Sequence, residues 1–269
     1  MITLAGLYVY PVKSCRGIAL DAALLTRTGL EHDREWMIVT PEGRFLTQRE
    51  LPRLALIGTR LEPQALWLSA AQSRPLEVPF GDAGRPSEVV VWRDRCAARD
   101  AGDAAAQWLG DVLGRAVRLV RFDAAHRRQS DPAWTGGARA YTQFSDGYAM
   151  LAISTASLGD LNSRLAQPLP MNRFRPNLVL DGLPPYGEDA IGEFLVGDGV
   201  RLRAVKPCTR CAITTTDQAT GTVDGAEPLQ TLRTYRWNPG LRGVAFGQNV
   251  IVLAGAGSTL AAGMEIRSA

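Results

Sequence analysis

The chain has 269 residues, 46% hydrophobic and 21% charged, with a formal net charge of +3, enough apolar material for one large domain or two moderate ones. No run of eighteen apolar residues occurs, which excludes a spanning helix, and four cysteines are too few for a disulfide scaffold at this length. The mild charge, without a Lys/Arg block interleaved with aromatics, speaks for a solvated surface and against nucleic acid.

The N-terminal MITLAGLYVYPVKS has neither a basic n-region nor a small-residue cleavage site, so the expected location is cytoplasmic. Its segment 2–10 is apolar and β-branched or aromatic up to Pro11, a buried strand. Residues 34–40 and 44–48 flank Pro41-Glu42-Gly43 and read as a hairpin. Further strands are expected at 53–61, 64–69 and 88–93, with the Gly/Pro-rich stretch 80–87 between them. The first clear helix spans 101–114: Ala105, Trp108, Leu109, Val112 and Leu113 share one face, and Asp100 is a candidate N-cap. A strand at 117–122 follows, then a polar loop at 123–140.

The second half opens with a strand at 149–153. Ser154 or Thr155 then caps a helix over 156–165 that ends before Pro168. Strands are expected at 177–181, 200–206, 211–216 and 244–253, a helix or turn near 187–194, a turn at 217–221 and a helix at 227–236. The fold class is strand-rich α+β, with serial short strands suited to a small barrel or sandwich.

The chemistry gathers at the cysteines. Of 30 cationic residues only Lys13 and Lys206 are lysine, and each stands two positions before a cysteine. Cys208-Thr209-Arg210-Cys211 is a C-x-x-C with several readings. A zinc half-site lacks a second pair, since only Cys15 and Cys96 remain, and His32 and His126 cannot build a His-rich site. A thioredoxin-like dithiol opens a helix, whereas the β-branched Ala-Ile-Thr-Thr-Thr after Cys211 points to a strand. One thiolate also suits a soft ligand to a metal whose other ligands come from a cofactor, with Lys206 and Arg210 favouring the thiolate. Two inert buried thiols remain open as well. Lys13-Ser14-Cys15-Arg16-Gly17, Asp33-Arg34 and Arg173-Phe174-Arg175-Pro176-Asn177 are separate anion-site candidates, suited together to a phosphate and a polar ring.

Ten segments in order then carry a family resemblance. They include Tyr-Pro-Val-Lys-Ser-Cys-Arg-Gly (10–17), Leu-Thr-Gln-Arg-Glu-Leu-Pro-Arg-Leu (46–54), Asn-Arg-Phe-Arg-Pro-Asn (172–177), Pro-Cys-Thr-Arg-Cys (207–211) and Phe-Gly-Gln-Asn (246–249). The chain resembles MOSC-domain proteins with an N-terminal MOSC β-barrel partner, the family of the mitochondrial amidoxime-reducing components and their bacterial relatives. The resemblance implies a MOSC β-barrel formed by 1–34 and 123–269, interleaved with a smaller N-terminal α/β domain at 35–122. It implies a molybdenum cofactor (Mo-molybdopterin) with Cys211 as the metal's protein ligand. Cofactor contacts fall on Lys13, Ser14, Arg34, Arg175, Asn177, Thr209 and Arg210. Relatives carry a Thr-Ser pair where this chain has Gly147-Tyr148.

The expected function is reduction of small N-hydroxylated compounds: hydroxylamines, amidoximes or N-hydroxylated bases. Catalytic candidates are Cys211, Arg210, which is also placed to orient substrate, and Asp217, read either as a proton relay or as a turn residue before Gly221. The few cysteines cannot supply a ferredoxin domain besides the metal ligand, so electrons are expected from a separate ferredoxin- or flavin-type protein. No membrane and a monomeric state complete the expectation. Rival readings are a non-catalytic cofactor or sulfur carrier with a persulfide on Cys211, a plain thiol or zinc protein, and a pyridoxal phosphate site at Lys13 or Lys206.

Overall fold

A computed structural model describes residues 1–81 and 84–269, so Asp82 and Ala83, within the stretch expected to be punctuation at 80–87, lie outside the described residues. The architecture is strand-rich α+β. Seven strands close into a barrel in the order Met150–Ser154, Leu178–Asp181, Ile2–Val9, Glu265–Ser268, Glu193–Val196, Val200–Thr209 and Gly243–Ala254, which pairs back to the first. Every pair is antiparallel except Met150–Ser154 with Leu178–Asp181. A parallel pair needs a long crossover, and here the helix Thr155–Ser163 supplies it. The Ser154 hydroxyl caps that helix as expected, accepting from the Ser157 amide at 3.0 Å. Leu4, Leu7, Phe194, Leu202 and Val250 are among the side chains that fill the barrel.

The barrel is built from both ends of the chain. Ile2–Val9 lies between strands from the second half, and the short strands Ile18–Leu20 and Ala22–Thr26 pair with Ile2–Val9 and Thr259–Ala261. Between them, residues 10–15 leave the barrel and run beside 34–36, with the Arg34 amide on the Tyr10 carbonyl and the Lys13 amide on the Trp36 carbonyl. Trp36–Val39 then starts a second, four-stranded antiparallel sheet, followed spatially by Arg118–Phe122, Asp94–Asp100 and Arg85–Val91. The helix Asp103–Leu113 packs Ala105, Leu109 and Leu113 into a core that also holds Trp36, Leu54, Leu66 and Leu119. Gly102 rather than Asp100 is its N-cap; the Asp100 carboxylate accepts from the Gly102 amide at 2.8 Å.

Three expected strands differ. Residues 53–57 fold largely as the 3₁₀ helix Pro52–Leu56, because Pro52 presets a helical φ, and extension begins only at Gly58. Residues 44–48 make only isolated bridges, Val39 to Phe45 and Arg44 to Val90. Residues 211–216 contain the 3₁₀ helix Ala212–Thr215: the Thr214 and Thr215 hydroxyls donate to the carbonyls of Cys211 and Ala212, a local bond that competes with a sheet ladder. Asp94–Asp100 was not expected, since its inward residues Cys96 and Ala98 are small and its other members mostly charged.

The core assignment has a direct check. Leu109→Ala removes a fully buried side chain and is expected to cost about 2–5 kcal/mol in urea unfolding, while Ala at exposed Gln107 on the same helix stays within about 0.5 kcal/mol.

Candidate active site

Where residues 10–15 pass between the barrel and the second sheet, a cleft opens. It is lined by Lys13, Ser14, Arg34, Arg175, Asn177, Thr209, Arg210 and Cys211, together with Thr47, Arg49, Asp146, Phe174 and Asn249. Three of these residues, Ser14 (φ 69°), Arg34 (φ 50°) and Arg175 (φ 55°), hold a left-handed backbone that non-glycine residues rarely adopt. Such strain is concentrated at functional sites, where the surroundings enforce it.

The Arg34 guanidinium forms bonds of 2.7 and 2.6 Å to the two Asp33 carboxylate oxygens. It also donates to Asn177 Oδ1 at 3.0 Å and to the Arg175 carbonyl at 3.1 Å. Asn177 in turn donates to the Tyr8 carbonyl and accepts from the Leu151 amide, so it ties three strands of the barrel to Arg34. The Tyr10 ring lies 4.2 Å from both the Arg34 and Arg175 guanidinium carbons. Burial pushes the Tyr10 phenol up to about 12.

Arg175 differs from Arg34 in having no carboxylate partner among the described residues. It is 9% exposed, its Nη1 reaches Gln218 Oε1 only at 3.4 Å, and its buried Nη2 has no partner among the described residues. Burial pushes its guanidinium down to about 10. A buried charge left unpaired is costly, and an anion in the cleft would satisfy it. Gln218 belongs to a buried amide pair: Gln48 Nε2 donates to Gln218 Oε1 at 3.0 Å and Gln218 Nε2 returns to Gln48 Oε1 at 2.9 Å. Gln48 Nε2 also donates to the Ser14 carbonyl at 2.7 Å, so the pair joins the Ser14 turn to Arg175.

The cysteines are delivered by the end of the long strand Val200–Thr209. Its register with Gly243–Ala254 shifts between Ala204 and Lys206 and between Pro207 and Thr209, bulges of the kind that re-aim side chains beside sites. Cys208 and Cys211 are free thiols with different settings. Cys208 packs against the apolar cluster of Phe174 and Phe246 and lies 3.0 Å from Arg210 Nη1; burial pushes its thiol up against the pull of that guanidinium. Cys211 lines the cleft and caps the Ala212–Thr215 turn. Arg210 is pinned by Nη2 on the Phe174 carbonyl at 2.7 Å, and its buried Nε has no partner among the described residues. Among the described residues no group of three or more His, Cys, Asp or Glu could hold a metal. A metal on Cys211 would therefore bring most of its ligands with it.

Eight of the nine residues singled out from the sequence thus line one cleft, and Asp217 does not. Its Oδ1 accepts from the amides of Ala219 and Thr220, and its Oδ2 from Arg173 Nη2 at 3.0 Å. The Thr220 and Ala219 amides, with Arg173, hold the carboxyl below its usual range, so it stays ionised at neutral pH. Arg173 also donates to the Thr215 carbonyl at 3.0 Å, so Asp217 braces the turn that carries Cys211. Lys206 stacks 4.8 Å from the Trp134 ring and is not part of the lining. Asp146, Thr47, Arg49 and Asn249 line the cleft without standing out in the sequence as site residues; the last three stand in segments 46–54 and 246–249, which carry the family resemblance.

Two domain models match this chain: the MOSC N-terminal beta barrel domain over residues 1–116 and the MOSC domain over 140–267. Mitochondrial amidoxime-reducing component 1 of Mus musculus is 40% identical over 243 residues, covering 87% of this chain and 71% of that protein. The human component 1 is 38% identical over 87% and 72% of the two chains, and Mitochondrial amidoxime reducing component 2 of Bos taurus is 35% identical over the same shares. The chain is a MOSC-domain protein and belongs to the family of the amidoxime-reducing components.

The amide pair supplies the stability test. Gln218→Leu leaves Gln48 short of a partner in a buried setting and is expected to cost about 1–3 kcal/mol. Since the two side chains share one network, the Gln48→Leu/Gln218→Leu double variant should lose less than the sum of the singles in a denaturant cycle.

Proposed function

We propose that the protein is a molybdenum-cofactor-dependent reductase of N-hydroxylated compounds. The observation that carries this reading is one cleft that joins a cysteine to an unpaired buried guanidinium, in a chain 40% identical to an amidoxime-reducing component. The residues fit the group: Cys211 offers a soft sulfur ligand, and the unpartnered Arg175 Nη2 and Arg210 Nε suit an anionic phosphate and a polar ring. When bound, the group supplies the two-electron reduction that parts oxygen from nitrogen.

The chain's own residues hold and orient it. Cys211 ligates the metal. Arg175 and Arg34 bind the phosphate, with Asp33 and Asn177 fixing the Arg34 fork. Lys13, Ser14, Thr209 and Arg210 line the cleft around the heterocycle. Arg173 and Asp217 hold the Cys211 turn in place. In this reading the barrel comprises 1–34 and 123–269, the smaller unit 35–122, and the cleft lies where they interleave. Electrons come from a separate ferredoxin- or flavin-type protein, and the chain works as a cytoplasmic monomer on small molecules.

Elemental analysis after expression in a cofactor-making host tests the reading. Wild type and Cys208→Ser are expected to hold near-stoichiometric molybdenum, Cys211→Ser almost none, and the loaded forms to reduce N-hydroxylated substrates with an artificial donor. Persulfide sulfur without metal in folded wild type would instead make Cys211 a sulfur carrier.

A further inference from the structure

Among the described cleft-lining side chains Asp146 is the single carboxylate, set against Lys13, Arg34, Arg49, Arg175 and Arg210. Its Oδ1 is doubly engaged, by Lys13 Nζ at 2.6 Å and by Trp92 Nε1 at 3.1 Å. Lys13 is itself buried and anchored to the Phe144 carbonyl at 2.8 Å, so the carboxylate is held from behind. Desolvation by the surrounding cleft would raise the Asp146 carboxyl, but the Lys13 ammonium, its hydrogen bond and that from Trp92 outweigh it and keep the group ionised. Oδ2 makes no hydrogen bond to any described residue, while the side chain as a whole is 69% exposed. Trp92 crosses from the hairpin of the second sheet, with its ring against Arg49 (4.5 Å) and Phe45 (5.2 Å), and fixes the rotamer from the other side.

A fixed, charged acceptor with one free oxygen at a cationic cleft recognises N–H donors. Resting on the reductase reading above, we propose that Asp146 is a specificity-determining residue, whose free Oδ2 docks an N–H group of the substrate beside the N–OH group. Amidoximes and N-hydroxyguanidines carry such a second nitrogen; N-oxides and N,N-disubstituted hydroxylamines do not. The site therefore favours the former. Lys13 and Trp92 are positioning residues for this contact, and the loss of either loosens the carboxylate without removing it.

The test is binding of acetamidinium, a non-reducible N–H donor, by calorimetry to the full chain purified from a cofactor-making host. Tetramethylammonium, with the same charge and no N–H, is the control. Wild type is expected to bind acetamidinium and not tetramethylammonium. Asp146→Asn should weaken acetamidinium by about tenfold or more, the loss of one hydrogen bond to a charged group. Trp92→Phe, which keeps the ring and removes one bond to Oδ1, should weaken it by about two- to fivefold and decides the matter if Asp146→Asn does not fold. Equal affinity in wild type and folded Asp146→Asn, unchanged affinity in Trp92→Phe, equal binding of tetramethylammonium, or no binding at all each overturns the proposal. In turnover, Asp146→Asn should lower kcat/KM for an amidoxime relative to an N-oxide; an equal loss on both contradicts it. Wild type that binds acetamidinium yet reduces neither substrate would sink the reductase reading and leave the docking contact standing.

Discussion

Everything in the cleft is arranged around a guanidinium that the protein does not neutralise. Arg34 and Arg175 both lie 4.2 Å from the Tyr10 ring, each in the other's field, yet among the described residues only Arg34 has a carboxylate partner. Among the described residues, the Arg175 guanidinium meets only the Tyr10 π-face and a long bond to Gln218. Its folded-state value of about 10 lies below the free value, so folding weakens its hold on the proton. That cost is present in full at neutral pH, where the group is charged in both states, and lessens only above about 10. A chain keeps such a group when a ligand completes it, and an anion at Arg175 turns the same burial from a cost into selectivity.

The chain path is what makes this possible. Residues 10–15 depart from one barrel strand and return to the barrel at Ile18, and in between they carry Tyr10, Lys13 and Ser14 against the start of the second sheet. Arg34 arrives on the neighbouring segment, Arg175 and Asn177 just before the barrel strand Leu178–Asp181, and Cys211 just past the end of the long strand Val200–Thr209. The site therefore depends on long-range closure rather than on any one loop. The Gln48–Gln218 pair spans 170 positions of sequence and links the Ser14 turn to Arg175.

Local chemistry was legible where one residue decides the outcome. Ser154 capped its helix, the apolar face around Leu109 found the core, and Asp217 made its turn. The candidate site was legible as residue types, because Arg suits phosphate and Cys suits a soft metal wherever they stand. Their convergence was not, since no pattern in 10–17 announces that the segment will run beside 34–36. The left-handed backbone at Ser14, Arg34 and Arg175 was equally hidden, as none is Gly or Asn. The β-branched run after Cys211 misled because threonine hydroxyls bonded their own turn. Asp146 gave no signal at all: a lone acid before Gly147 gains meaning only when Lys13 and Trp92 reach it from distant segments.

The central claim is that Arg175 waits for an anion, and one measurement addresses it most directly. Protein made in a host that cannot build the pterin cofactor is melted in rising inorganic phosphate at constant ionic strength, alongside Arg175→Met. Binding to the folded state alone must raise the melting temperature with ligand concentration. Wild type should climb with phosphate over the chloride control while folded Arg175→Met should not; an equal climb in both, or none in wild type, would contradict the account.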